Sequence, residues 1–374
     1  MKKNKIKKIP VFDFKLGNKE KNFVANCLKK SSISQGSFVK DFEDEFSSFV
    51  KCKYGITTTS GTTALHLACK TLDIKEGDQV LISSSTNMAC AFSVDYCGAI
   101  PVPIDIEKDT WQMDVSKIEK KINKRTKAIM VVHLFGHPVD MDPVLKISKK
   151  YNLKIIEDCA EAHGVEYKGR KVGSIGDIGA FSFYANKTFT CGEGGMIVTN
   201  SKNIAEKARS LKNLSYGKVN RFMHSNIGFN YRLPNISAAI GLGQLHQKNK
   251  IFSTKKRIYE RYKENLENVK GIHIPTIKVW VTKYIMWVFN ICLDNKFPIS
   301  RNQLVKKLKS KNIQTRNAFI PINKQKILIK KYNLFKENEC PNANYIMNNG
   351  LYLPSGNTIK NSEIDYICNI IKKI

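Results

Sequence analysis

Lys187 sits where a lysine could do chemistry. It is the one lysine in a segment otherwise free of charge between Asp177 and Glu193, beside two aromatics and a Gly-Glu-Gly-Gly turn. A lysine taken at random is a solvated surface charge. These surroundings place this one near a cavity. A lysine withdrawn from water is the side chain that condenses with carbonyl compounds to a Schiff base. Ser182, five residues earlier, could donate to a phosphate. Asp158 closes the buried-strand pattern LKIIED. At the carboxyl end of such a strand, where parallel sheets put their ligands, a carboxylate could hold a cationic ring nitrogen. Asp158 or Glu157 reads equally as a cap for the following turn. Ser60-Gly61-Thr62-Thr63 opens an Ala/Leu-rich helix whose amides could receive an anion. A structural N-cap from Thr62 or Thr63 accounts for that turn more readily. Asn230, Tyr231 and Arg232 form a polar cluster ahead of another helix, which is also what a capped loop looks like.

These residues need elements to hold them. From about Phe38 to Leu245 short apolar runs alternate with amphipathic helices. GDQVLISSS, IPVPIDI, KAIMVVHLFG and LKIIEDCAEA read as strands, and MACAFSVDYCGA and DPVLKISKKYN as helices. That alternation predicts a mostly parallel sheet covered on both faces. PNISAAIGLGQLHQKNKIFSTKKRIYERYKENL reads as one long helix. Beyond about Gly271 the texture changes to KYIMWVFNICL, a strand, SRNQLVKKLKSKN, a capped helix, and a closing helix SEIDYICNIIKKI. The expected division is a large α/β domain over 36–254 and a small α+β domain over 255–374, joined by residues 1–35.

The 374 residues carry a formal charge of +30, which invites a nucleic-acid reading. Only nine of the 62 basic residues are arginine, the side chain suited to bidentate phosphate and base contacts, and the lysines are scattered as pairs. A basic nucleic-acid-binding protein is therefore the weaker alternative. The positive field suits an anionic small substrate. No run approaches the roughly 20 apolar residues of a membrane helix. The basic N-terminus has no apolar stretch behind it, so it does not read as a secretory signal. Ten cysteines without a C-x-x-C pair argue against zinc ribbons and redox motifs, predict no metal, and suggest reduced thiols in the cytoplasm.

Taken in order, IPVFDF, SQGSFVKDFEDEF, RTKAIMVVHLFGHPVDMD, EDCAEAHG, FYANKTFTCGEGGM, NYRLPN and GLYLPSG resemble the DegT/DnrJ/EryC1/StrS sugar aminotransferases over nearly the whole chain. The segments around Lys187 and Asn230 look most like the 4-aminotransferases of perosamine-synthase type. The resemblance implies the aspartate-aminotransferase fold (fold type I), pyridoxal 5'-phosphate (PLP) as cofactor, and transfer of an amino group from L-glutamate to carbon 4 of a nucleotide-linked 4-keto-6-deoxyhexose for polysaccharide biosynthesis. It implies Lys187 as the Schiff-base lysine, where the family's deoxysugar dehydratases carry histidine, and Asp158 as partner of the pyridinium nitrogen. Ser60, Gly61, Thr62 and Ser182 would form the phosphate cradle, and Glu161 would lie near the ring hydroxyl. Asn230 would reach the phosphate of a partner subunit, giving a homodimer with shared sites.

Three positions depart from the family's pattern. Asn87 replaces an aromatic that stacks on the cofactor. Asn323 replaces a histidine at the sugar, and Ser32-Ile33-Ser34 replaces Trp-Ile-Ser. With Ser34, Asn323 and Arg232 on the sugar side, another keto sugar or another carbon is the nearest alternative substrate.

Overall fold

The computed structural model describes residues 8–217, 219–224, 226–332 and 338–374. The first seven residues of the basic N-terminus lie outside that range. Seven strands form the central sheet: β1 (Tyr54–Thr58), β2 (Gln79–Ser83), β3 (Ile100–Ile104), β4 (Thr126–Val132), β5 (Lys154–Asp158), β6 (Ile178–Ser182) and β7 (Gly195–Thr199). Their order is β1-β7-β6-β5-β4-β2-β3. Only β7 runs against its neighbours, β1 and β6; every other pair is parallel.

The strands are apolar on both faces because both faces are covered. Among the described residues the α-helices are α1 (Asn18–Lys29), α2 (Ser37–Val50), α3 (Gly61–Thr71), α4 (Ala89–Asp95), α5 (Met141–Tyr151), α6 (Lys202–Lys212), α7 (Asn235–His246), α8 (Lys248–Leu266), α9 (Arg301–Ser310), α10 (Lys326–Tyr332), α11 (Pro341–Asn349) and α12 (Asn361–Lys372). Val80, Ile82, Met130 and Ile156 point to the side of α3, α4 and α6. Leu81, Ile129, Val131 and Ile155 point to the side of α2, α5 and α7. The strict alternation follows from the period of two along a strand.

A second, antiparallel sheet has its own core. Its strands β8 (Ile272–His273), β9 (Phe289–Leu293), β10 (Arg316–Asn317) and β11 (Gly350–Leu353) lie in the order β8-β9-β11-β10 and pack with α8, α9 and α12. The apolar run KYIMWVFNICL is strand at Lys283, which ends Val281–Lys283, and again from Phe289; residues 284–288 form a connector whose Trp287 amide bonds the Phe135 carbonyl after β4 (3.4 Å).

Two further expectations are corrected. The long helix breaks at Gln247 (φ −101°, ψ 12°), between α7 and α8. There the Gln247 side chain donates to the Gly243 carbonyl, its own i−4 acceptor, in place of the backbone bond (3.4 Å). The N-terminal segment divides. Ile9 bridges to Ile313 beside the small sheet, while α1 packs on α7 of the large unit. Glu20 of α1 is buried and accepts from Gln244, and the Cys27 thiol donates to the Asn235 carbonyl, which binds α1 there. All ten cysteines are buried and free.

His163 lies inside a ring of Phe46, Phe181, Phe183 and Phe189, with centroids 5.3 to 6.1 Å away. Burial, aided by the Lys187 charge, lowers its pKa to about 3. The unfolded chain therefore binds a proton at this residue below about pH 6.5 that the folded chain refuses until about pH 3. Stability therefore decreases as pH is lowered through that window, by up to about 1.4 kcal/mol per pH unit from this group. A His163→Phe variant is expected to lose that component. Urea unfolding at several pH values between 4 and 7 measures it, and an unchanged slope contradicts the assignment.

Candidate active site

The parallel strands end along one edge of the sheet, and the chain reverses its order of travel between β2 and β4. That is the edge where open α/β sheets bind ligands. Loops leaving β1, β2, β5 and β6, with Val132 at the end of β4, border a cavity of about 270 Å³. Its lining contains Ser60, Gly61, Thr62, Asn87, Asp158, Glu161, Ser182 and Lys187, eight of the twelve residues singled out from sequence.

Three carboxylates leave β5 within five residues, and all are buried. Glu157 faces away from the cavity. It bonds His133 Nε2 (3.0 Å) and accepts the amides of Gly173 (2.8 Å), Ile175 (2.7 Å) and Gly176 (2.7 Å). Burial pushes its pKa up, but His133 and these amides outweigh burial and hold it below the usual range. Glu157 thus ties the 173–176 loop to the strand end, and the cap of the following turn is Asp158. Asp158 faces the cavity. Its Oδ1 accepts the Ala160 amide (2.9 Å) and its Oδ2 the thiol of Cys90 (2.9 Å). Glu161 accepts the Phe135 amide through Oε2 (3.0 Å) and Lys187 Nζ through Oε1 (3.3 Å). Burial raises the Glu161 pKa, opposed by the nearby Lys187 charge.

The Phe135 amide points at Glu161 because the chain turns sharply after β4. Phe135 has φ 56°, and Gly136 follows at φ 88°. A Cβ on Gly136 would lie 2.1 Å from the Ile285 carbonyl oxygen, so only glycine fits. Lys187 Nζ lies 4.1 Å from the centre of the Trp287 ring. The indole Nε1 donates to the Asn186 carbonyl (2.7 Å), fixing the ring beside the lysine's own backbone.

One end of the cavity is the start of α3. Its cap is Ser60 and not Thr62 or Thr63: Ser60 Oγ accepts the Thr63 amide (3.2 Å), and Thr63 Oγ1 accepts the Ser60 amide (2.9 Å). First-turn amides have no acceptor inside their helix, so those of Gly61 and Thr62 are available to a ligand. A Cβ on Gly61 would meet Ser182 Cβ at 2.6 Å, so the missing side chain lets the helix start approach the serine.

Four residues do not line this cavity. Ser34 and Asn230 are exposed, and Arg232 donates through Nε to Asn230 Oδ1 (2.9 Å). Asn323 is fully buried in a turn tied down by the Ile322 amide bonding the Ser84 carbonyl (2.9 Å). Sequence reasoning passed over Trp287, Phe319 and Tyr352, which form an aromatic wall, and Cys90 beneath Asp158. Trp287 and Tyr352 fall in apolar runs whose pattern is that of core strands.

The donors fit PLP: a lysine amine, a buried carboxylate at one end, and a helix start with a serine hydroxyl at the other. The chain matches the model of the DegT/DnrJ/EryC1/StrS aminotransferase family over residues 15–372, and it belongs to that family. It is a PLP-dependent nucleotide-sugar aminotransferase. It is 40% identical over 369 residues to a GDP-perosamine synthase of Escherichia coli O157:H7, covering 98% of this chain and 99% of that one. A GDP-perosamine synthase of Vibrio cholerae is 36% identical over 366 residues, covering 97% and 98%. The PLP form of a putative sugar aminotransferase, Spr1654 of Streptococcus pneumoniae, superposes with a TM-score of 0.91 at 25% identity over 98% of both chains.

Borohydride reduction of the holoenzyme followed by peptide mapping is expected to place the label on the peptide containing Lys187. A label on another lysine overturns its role.

Proposed function

We propose that the enzyme moves an amino group from L-glutamate to carbon 4 of a GDP-linked 4-keto-6-deoxyhexose. The observation that carries the chemistry is the Lys187 amine, held between Glu161 and Trp287 in the same cavity as the buried Asp158. PLP, when bound, supplies an aldehyde for amine exchange and a cationic ring that withdraws electrons.

The chain supplies the rest. Lys187 Nζ binds the cofactor and, once displaced by a substrate amine, carries the proton between the reacting carbons. Glu161, anchored by the Phe135 amide, orients that nitrogen. Asp158 has its two oxygens aligned by Ala160 and Cys90, and it keeps the ring nitrogen protonated. The Gly61 and Thr62 amides with Ser182 Oγ hold the phosphate. Trp287, Phe319 and Tyr352 offer apolar faces to the sugar side and restrict water.

The choice of carbon 4 and of GDP is supported by the perosamine synthases among the relatives. Asn87, on the cavity rim, tunes the sugar pocket in place of a stacking ring. NMR of the product made from glutamate with GDP-, UDP- and dTDP-linked 4-keto-6-deoxy sugars tests the assignment. Nitrogen on carbon 4 of the GDP sugar is expected; nitrogen on carbon 3 refutes it.

The same reading makes the enzyme a homodimer in the cytoplasm. Exposed Asn230 lies on a segment that also exposes Val219 (103%), Phe222 (77%) and Ile227 (87%), an apolar surface suited to a second copy. Buried free thiols suit a reducing compartment. Mixing inactive Lys187→Ala with Asn230→Asp, whose charge repels a phosphate, is expected to restore activity through one hybrid site that regains both residues. No recovery on subunit exchange counts against shared sites.

A further inference from the structure

One buried amine has no part in the chemistry above. Lys255 of α8 is 1% exposed. Among the described residues it has no carboxylate partner. Its Nζ donates to two backbone carbonyls, those of Trp287 (2.9 Å) and Ser355 (2.8 Å). Burial alone pushes its pKa down, to about 7. Two acceptors are what a neutral amine, with two N–H bonds, satisfies in full. An uncompensated lysine is a costly way to fill a core, so the two carbonyls it holds are informative.

Both carbonyls belong to segments that border the active site. Trp287 lies ahead of β9, outside the strand ladder. Its amide donates to the Phe135 carbonyl (3.4 Å), its indole Nε1 to the Asn186 carbonyl (2.7 Å), and its ring faces Lys187. Ser355 follows β11, which carries Tyr352 of the same aromatic wall. Ser355 Oγ accepts the Phe289 amide (2.9 Å) and donates to the Leu353 carbonyl (2.8 Å). The lysine therefore ties the connector bearing Trp287 to the end of β11 and fixes both to α8.

We infer that Lys255 is a positioning residue: by holding the Trp287 carbonyl it sets the indole face over the Lys187 nitrogen. The inference rests on the reading of Lys187 as the cofactor-bearing amine. A ring face within about 6 Å stabilises a cation. A tilted or displaced ring therefore lets the nitrogen lose its proton at lower pH.

The test is the pH midpoint of the visible cofactor band of the holoenzyme, which reports the proton on the Lys187 nitrogen. Lys255→Met keeps the length and packing of the side chain and removes both donors. The other charged groups lining the cavity, Asp158, Glu161 and Glu193, are left in place. The midpoint is expected to fall by about half a pH unit or more. Trp287→Leu is expected to shift it in the same direction. The double variant should then shift no further than Trp287→Leu alone, because the two changes act through one ring.

A wild-type midpoint in folded Lys255→Met overturns the inference, as does full additivity in the double variant. If Lys255→Met does not fold, Trp287→Leu still decides, since an unmoved midpoint there removes the effect Lys255 is said to transmit. Loss of the visible band with the borohydride label on another lysine is a different failure and strikes the reading of Lys187 itself.

Discussion

Glu157, Asp158 and Glu161 are three acids, buried within five residues at the end of one strand, and each must find donors. A carboxylate out of water is tolerated only when hydrogen-bonded or paired, so each organises the chain around it. Glu157 gathers three amides of one loop and a histidine, which ties residues 173–176 to the sheet. Asp158 takes one amide and one thiol and keeps its face to the cavity. Glu161 takes the amide that the left-handed Phe135 presents and the amine of Lys187. The sharp turn after β4, the glycine that permits it and the position of the lysine all follow from satisfying these groups.

The parts legible in the sequence are those whose chemistry departs from their surroundings. A lone lysine in an uncharged run, and acids ending a buried strand, stand out because the core-forming pattern does not explain them. The parallel strands were legible for a related reason. Being covered on both faces, they appear as unbroken apolar runs between helical periods. Trp287, Phe319 and Tyr352 were not legible. An aromatic that lines a cavity and one that fills a core obey the same pattern, and only the backbone path separates them. Cys90 likewise reads as a small buried residue of a helix until Asp158 is placed beside it.

The misplaced boundaries have equally local causes. The helical period continues through Gln247, so nothing in the apolar pattern marks the break; a side chain replacing one backbone hydrogen bond does. At the start of α3 three hydroxyl residues in four positions compete for the cap. Ser60 takes it because it alone has the extended backbone (φ −161°, ψ 167°) that a capping residue needs. The N-terminal segment divides because Ile9 finds a partner beside the small sheet while buried Glu20 finds Gln244 on α7.

The cavity draws its two halves from separate stretches of the chain. Every group proposed above to hold the cofactor within the cavity lies between Ser60 and Lys187, and every member of the aromatic wall lies at or beyond Trp287. A single recombination crossover between Arg232 and Trp287 would therefore exchange the wall between relatives and leave the groups ahead of it intact. Chimaeras joined there would exchange that face of the cavity in one step, and the joints to be re-fitted include the bonds of the Trp287 indole to the Asn186 carbonyl, of the Trp287 amide to the Phe135 carbonyl and of the Ile322 amide to the Ser84 carbonyl.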